Sequence, residues 1–256
     1  MEEEKKKKRH PVTLIILIVA LAVMIFAIVK LVGIRKDYQE SEKTFQTLES
    51  EYVVHPDGAG ALWQDGTRIQ FDALRKENPD IMAWLRFDNH DNVHISYPVL
   101  YSGDDEKYLR SDIYRNYHIA GCIFLEGMNQ PDFSDYHSII YGHNMRNTTM
   151  FGDLKRYKND EGFYEQNQYF NVYTDTQVLR YQIFSYYDVD QDDEVYTVGY
   201  GPDDTWQAMI DRMVASSMKD TGIHPTKEDK IVTLTTCTSS GETKRFVVHG
   251  VLINAD

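Results

Sequence analysis

Thr233-Leu234-Thr235-Thr236-Cys237-Thr238 and, a little further on, Arg245-Phe246-Val247-Val248 decide how this chain is read. Both runs are rich in β-branched and apolar residues, and Ser239-Ser240-Gly241-Glu242 between them has the composition of a turn. The pattern predicts an antiparallel hairpin in which Cys237 and Arg245 stand opposite each other. A thiol beside a fixed positive charge is the setting in which cysteine ionises and attacks carbonyls. A third group lies in Ile139-Ile140-Tyr141-Gly142-His143-Asn144-Met145, which reads as a strand running into a loop that presents His143. His143 can take the thiol proton or stabilise the thiolate as an imidazolium, then protonate a leaving amine. Arg245 keeps its proton and can hold either the substrate or the oxyanion of a tetrahedral intermediate. The best rival base is His249, four residues beyond Arg245 on the same strand face. In the expected register it faces Thr233, roughly 13 Å from Cys237 at ~3.3 Å per residue, beyond proton-transfer reach. His118 and His137 have no comparable context.

Working outward, the 256 residues suffice for one domain with a sizeable core and an appendage. Residues 1–36 hold eight Lys/Arg and three Glu, a local +5 that leaves −18 for the remainder of a chain of net charge −13. So acidic an exterior argues against a nucleic-acid partner, because phosphate binding rests on Lys and Arg. From Val12 to Val29 only Thr13 is polar, a stretch long enough for a membrane helix, with Lys30 able to snorkel at its end. The basic run Lys5-Lys6-Lys7-Lys8-Arg9 predicts a cytoplasmic N-terminus and an outward-facing remainder. A cleaved signal peptide would have a shorter apolar core and a small-residue cleavage site, so an uncleaved single-pass anchor is expected.

Beyond the anchor, Asp37 to Tyr52 reads as an amphipathic helix with Tyr38, Phe45, Leu48 and Tyr52 on its apolar face, packed on its own domain. A short helix is expected at Phe71–Glu77, broken at Asn78-Pro79-Asp80. Strands are expected at about 92–100, 119–125, 137–143, 169–174, 177–189, 230–237 and 245–253. Two helices interrupt them, one near Thr149–Tyr157 and one at Asp203–Met218, whose Trp206, Met209, Ile210 and Met213 make a core-facing stripe. The sum is a mainly β domain with appended helices. Cys122 sits in an apolar strand-like run and reads as a small buried side chain rather than a second nucleophile or half of a disulfide. The acidic pairs Asp104-Asp105 and Asp192-Asp193-Glu194, and His10-Pro11, match no closed zinc site and read as solvated loops, so no metal is expected.

The chain resembles the sortases, and within them class B. The sortase signature Thr-Leu-any-Thr-Cys is met by Thr233-Leu234-Thr235-Thr236-Cys237. Tyr141-Gly142-His143-Asn144-Met145, Arg245-Phe246-Val247-Val248, Asn78-Pro79-Asp80-Ile81-Met82-Ala83-Trp84-Leu85, Tyr97-Pro98-Val99-Leu100 and Gly121-Cys122-Ile123-Phe124-Leu125 are also similar to that family, in order from about Phe71 to about Ile253. The resemblance implies a closed sortase-type β-barrel, with the helix-bearing insertion at about 188–230 typical of class B. It implies a division into a basic tail (1–11), a transmembrane anchor (12–34), an N-terminal helix and linker (35–70) and a catalytic domain (71–256).

The activity it implies is transpeptidation without metal or organic cofactor. Cys237 cleaves after a threonine in a C-terminal sorting signal similar to Asn-Pro-any-Thr-Asn, forming a thioacyl-enzyme that a peptidoglycan-precursor amine (lipid II-type) resolves. Catalytic roles fall to Cys237, His143 and Arg245, and substrate contacts to Leu100, Tyr196 and Thr236, the last of which could equally be a plain strand former. Tyr101 stands where the family often has glutamine, and Cys122 where it has serine or alanine. Pilin polymerisation, a cysteine endopeptidase using water, and a non-catalytic binding domain are the alternative readings.

Overall fold

The structure, a computed structural model, describes residues 11–54, 66–237 and 243–255. The basic tail, the loop from His55 to Gly60 and the turn Ser239-Ser240-Gly241-Glu242 lie outside the described residues. The chain divides into two compact units between Glu40 and Ser41.

Helix α1 runs without interruption from Pro11 to Tyr52. Its apolar side chains from Val12 to Ile34 are exposed, and it is long and apolar enough to cross a membrane. The second unit takes in the last turns of α1, where Phe45 and Leu48 are buried as the apolar spacing predicts.

Strands β1 (Val53–Val54) and β2 (Arg68–Ile69) form a small antiparallel pair before α2 (Phe71–Glu77). The main body comprises β3 (Ile81–Phe87), β4 (Ser96–Leu100), β5 (Ile123–Leu125), β6 (His137–His143), α3 (Arg156–Asn159), α4 (Phe163–Gln166), β7 (Tyr169–Tyr173), β8 (Val178–Asp190), α5 (Asp204–Ser216), β9 (Ile231–Cys237) and β10 (Lys244–Ala255). Eight strands close into a barrel in the order β10-β8-β7-β3-β4-β5-β6-β9. Closure removes the unpaired edges that an open sheet would expose. Pairing is antiparallel except for β4 with β5 and β6 with β9.

Strand β3 is absent from the sequence expectation. Ile81, Ala83, Leu85 and Phe87 are buried on one face, and on the other Trp84 is buried between half-buried Met82 and Arg86, so apolar residues fill both faces and the alternation that marks a half-exposed strand is blurred. Helix α2 and the breaker Asn78-Pro79-Asp80 before β3 are as expected: Asn78 ends α2, and its buried amide donates to the Ile113 carbonyl (2.8 Å). The helix expected near Thr149–Tyr157 is realised as a 3₁₀ turn at Gly152–Lys155 leading into α3.

Helix α5 is positioned as its sequence predicts. Asp203 caps it, its carboxylate accepting from the Thr205 and Trp206 amides at 2.9 and 3.0 Å. Trp206, Met209, Ile210 and Met213 pack on Phe184 and Val189 of β8, Ile231 of β9 and Val247 of β10. Burying Ile210 or Met213 contributes on the order of 2 kcal/mol each. The insertion that carries α5 thereby covers one face of β8, β10 and β9, and its leading segment, Glu194–Tyr196, reaches the rows next to Cys237.

Candidate active site

The parallel pairing of β6 and β9 is continuous from His137↔Ile231 to His143↔Cys237. Paired residues on neighbouring strands have backbones roughly 5 Å apart, so the pairing sets those of His143 and Cys237 side by side. On the other side of β9, β10 pairs antiparallel with Val247↔Thr235 and His249↔Thr233. Continuing that register by two residues sets Arg245 at the Cys237 level. Near that end a side chain joins the ladder: the Thr236 hydroxyl accepts from the Phe246 amide (3.0 Å) and donates to the Phe246 carbonyl (3.4 Å). Histidine, cysteine and arginine thus occupy three adjacent strands, with the cysteine in the middle.

His143 is 3% exposed, and its Nε2–H donates to the Leu109 carbonyl at 2.7 Å. A carbonyl only accepts, so this bond fixes the proton on Nε2 and leaves Nδ1 as the proton-accepting nitrogen of the neutral ring. It also favours the imidazolium once formed. Leu109 ends a 3₁₀ turn, Lys107–Leu109, started by Asp104, whose carboxylate accepts from the Glu106 and Lys107 amides (2.9 and 2.8 Å). Asp105 accepts from the Gly127 amide (2.8 Å). These acidic residues therefore serve as backbone caps. Among the described residues, no group of three or more His, Cys, Asp or Glu is arranged to hold a metal ion. Leu109 escaped the sequence reading because it acts through its main chain, which leaves no side-chain signal.

Arg245 is half-buried, and among the described residues no carboxylate pairs with it. Tyr196 is half-buried: its hydroxyl lies 3.0 Å from that of Thr235 and its ring stacks on Tyr141 at 6.4 Å. Tyr141 in turn stacks on Phe124 at 5.2 Å and donates to Glu126 (2.7 Å). Burial and nearby Asp105 push the Glu126 carboxyl above its ordinary value, against the opposing Tyr141 bond. Tyr196 and the aromatic row beneath it thus border the Cys237 level of β9.

Leu100 and Thr236 are placed differently from Tyr196. Leu100 is fully buried on β4, in register with Phe124, so it presents no surface to a ligand and is three strands away from β9. Thr236 is 2% exposed, with its hydroxyl engaged by Phe246 as described above. Cys122 is free and buried, and burial pushes its thiol far above the ordinary value.

The other histidines near the row are structural. His137 Nδ1–H donates to the Thr197 carbonyl (2.9 Å), its Nε2 accepts from the Thr233 hydroxyl (2.7 Å), and that hydroxyl accepts from His249 Nδ1–H (2.8 Å). In this arrangement both rings are neutral. Burial pushes His137 from 6.5 down to about 4 and His249 well below 6.5. Between about pH 6.5 and about 4 the unfolded chain binds protons that the folded one refuses. The stabilisation is therefore complete above about 6.5 and is lost as the pH falls towards 4. Thermal melting across that range should show a fall of several degrees that is smaller in His137→Gln; a flat profile in the wild type would contradict the neutral network.

The barrel and its β6–β9 seam define the sortase architecture. The Sortase domain family model matches residues 91–253. Sortase B of Staphylococcus aureus is 28% identical over 221 residues, covering 86% of this chain and 84% of that protein. Sortase B of Listeria monocytogenes is 27% identical over 207 residues, covering 80% and 82%. Among solved structures, sortase B from B. anthracis has a TM-score of 0.73 at 26% identity, covering 86% of this chain and 99% of that one. A substrate complex of the S. aureus sortase B has a TM-score of 0.70 at 28% identity, covering 86% and 97%. The chain belongs to the sortase family of cysteine transpeptidases. Its class is B, as in these relatives.

Proposed function

We propose that this protein is a membrane-anchored transpeptidase that attaches surface proteins to a cell-wall precursor. The anchor occupies residues 12–34, the basic tail is cytoplasmic and the catalytic domain from about residue 71 faces outward. The observation that carries the proposal is the His143↔Cys237 register with the Arg245 strand beside it. Cys237 attacks the threonine carbonyl of a sorting signal similar to Asn-Pro-any-Thr-Asn. The C–N bond after threonine breaks, His143 delivers a proton to the departing amine, and a thioester to Cys237 remains. Arg245 donates to the oxyanion or holds the signal peptide. A peptidoglycan-precursor amine of the lipid II type then attacks the thioester, giving an amide and regenerating the thiol.

The test uses the full chain in detergent with Asn-Pro-any-Thr peptides, with and without small amines, and product masses as the readout. An acyl adduct on Cys237 and amine-dependent ligation are expected. Hydrolysis alone, whatever amine is present, would instead make the protein an endopeptidase. Absence of any adduct across the peptide set would remove the sorting-signal reading.

A further inference from the structure

The loop that follows His143 is held in an unfavourable backbone conformation. Thr148 and Met150 have φ of +66° and +53°, the left-handed region that side chains other than glycine avoid at a cost of about 1–2 kcal/mol each. Such a conformation persists only where its surroundings impose it. The loop returns beside its own start, since Asn144 and Met150 form an antiparallel bridge and the Phe151 amide donates to the His143 carbonyl at 2.9 Å. The Met150 amide donates to the hydroxyl of Tyr97, on β4, at 3.1 Å. Tyr97 is 6% exposed, and its ring meets Phe45 of α1 edge to face, 5.3 Å between centroids at 89°. A cavity of about 250 Å³ lies alongside, lined by Glu42 and Glu49 of α1 and by Thr148 and Thr149 of the loop. Contacts therefore run from the end of α1 through Tyr97 to Met150 and on to the residue expected to act as the base.

We propose that Tyr97 is a positioning residue for His143: its hydroxyl clamps the strained 144–150 loop, and Phe45 at the end of α1 braces its ring. The proposal rests on the reading of His143 as catalytic base. It gives the last turns of the N-terminal helix a part in turnover, since a loop released at Met150 can relax out of the left-handed region and let the His143 main chain drift.

The experiment uses the full chain in detergent. Tyr97→Phe keeps the ring on Phe45 and removes the acceptor for Met150. The expected results are at least tenfold faster hydrogen exchange at the Met150 amide and a kcat about tenfold lower, with KM within twofold and a melting temperature within a few degrees of wild type. The pH profile for alkylation of Cys237, followed by mass, should shift in the same variant, a signature that simple loss of packing would not give. Thr148→Gly relieves one of the two left-handed residues. Added to Tyr97→Phe, it should recover kcat by threefold or more. Phe45→Ala should lower kcat about threefold in the same KM-neutral way. Wild-type kcat and Met150 exchange in Tyr97→Phe would overturn the proposal, as would a loss that Thr148→Gly leaves untouched. If Met150 exchange accelerates while His143→Ala turns over normally, the assignment of His143 falls and Tyr97's part in catalysis with it, leaving only a structural tether.

Discussion

Cys237→Ala is expected to abolish both the acyl adduct and amine-dependent ligation, while His143→Ala and Arg245→Ala lower kcat by about 10²–10⁴-fold. The three losses have different origins. Without the thiol no covalent intermediate can form, so nothing remains for an amine to resolve. Without His143 the cysteine loses the partner that ionises it and the amine its proton donor, and positioned acid–base groups contribute about 10²–10⁴. Without Arg245 the developing oxyanion or the signal peptide loses a donor that Lys does not replace geometrically, and a single such donor is worth about 10²–10³. A KM effect would assign Arg245 to substrate holding, and an effect confined to kcat would assign it to the oxyanion. Because the residues act as a unit, the double variant His143→Ala/Arg245→Ala should fall well short of the product of the two single losses. Rates measured by peptide ligation decide each case, and wild-type turnover in any single variant removes that residue from the mechanism.

The second large effect is expected at a glycine outside the row. Gly121 has φ +55°, and a Cβ there would lie 2.5 Å from the Tyr108 carbonyl oxygen and 2.7 Å from that of Leu109. Both obstacles are main chain, so the 107–109 turn must move as a body, and Leu109 is the residue that orients the His143 ring. Gly121→Ala should therefore cost about 2–4 kcal/mol, the sum of left-handed strain and overpacking. It should also lower kcat by an order of magnitude in the folded fraction. Gly162 is the control: its φ is +75° with open space around the position, so Gly162→Ala carries strain of about 1 kcal/mol and leaves kcat alone. Melting temperatures and kcat on both variants check this. Equal behaviour of the two would mean that the contact with the 107–109 turn is without consequence.

Legibility in the sequence followed physical locality. The β9–β10 register was readable because two β-branched runs flank a turn. His249 pairs with Thr233 as that register requires. Helix α5 was readable because its cap and its apolar stripe agree. Strand β3 was not, because Met82 and Trp84 put apolar residues on its second face as well and blur the alternation from which strands are recognised. The parallel seam between β6 and β9 was unreadable from either strand alone, since nothing in 137–143 indicates that 231–237 will lie alongside; only the family resemblance supplied the barrel. For the substrate-contact candidates, chain position said nothing of exposure. Leu100 is enclosed and Thr236 is engaged with Phe246, whereas Tyr196 borders the row. The Leu109 carbonyl, like any main-chain partner, is invisible to residue type.

The β6–β9 seam has a temporal consequence. The two residues at its end, His143 and Cys237, span positions 143 to 237, so they meet only after most of the domain has been made and the long connection between them closed. Contacts of such sequence separation bear a large chain-entropy cost and form late. A growing chain therefore carries His143 long before the cysteine that will stand beside it, and no fragment ending before residue 237 holds both. The row that holds these residues is thus completed only when the last strands of the barrel close, and the topology itself sets the order in which its members are brought together.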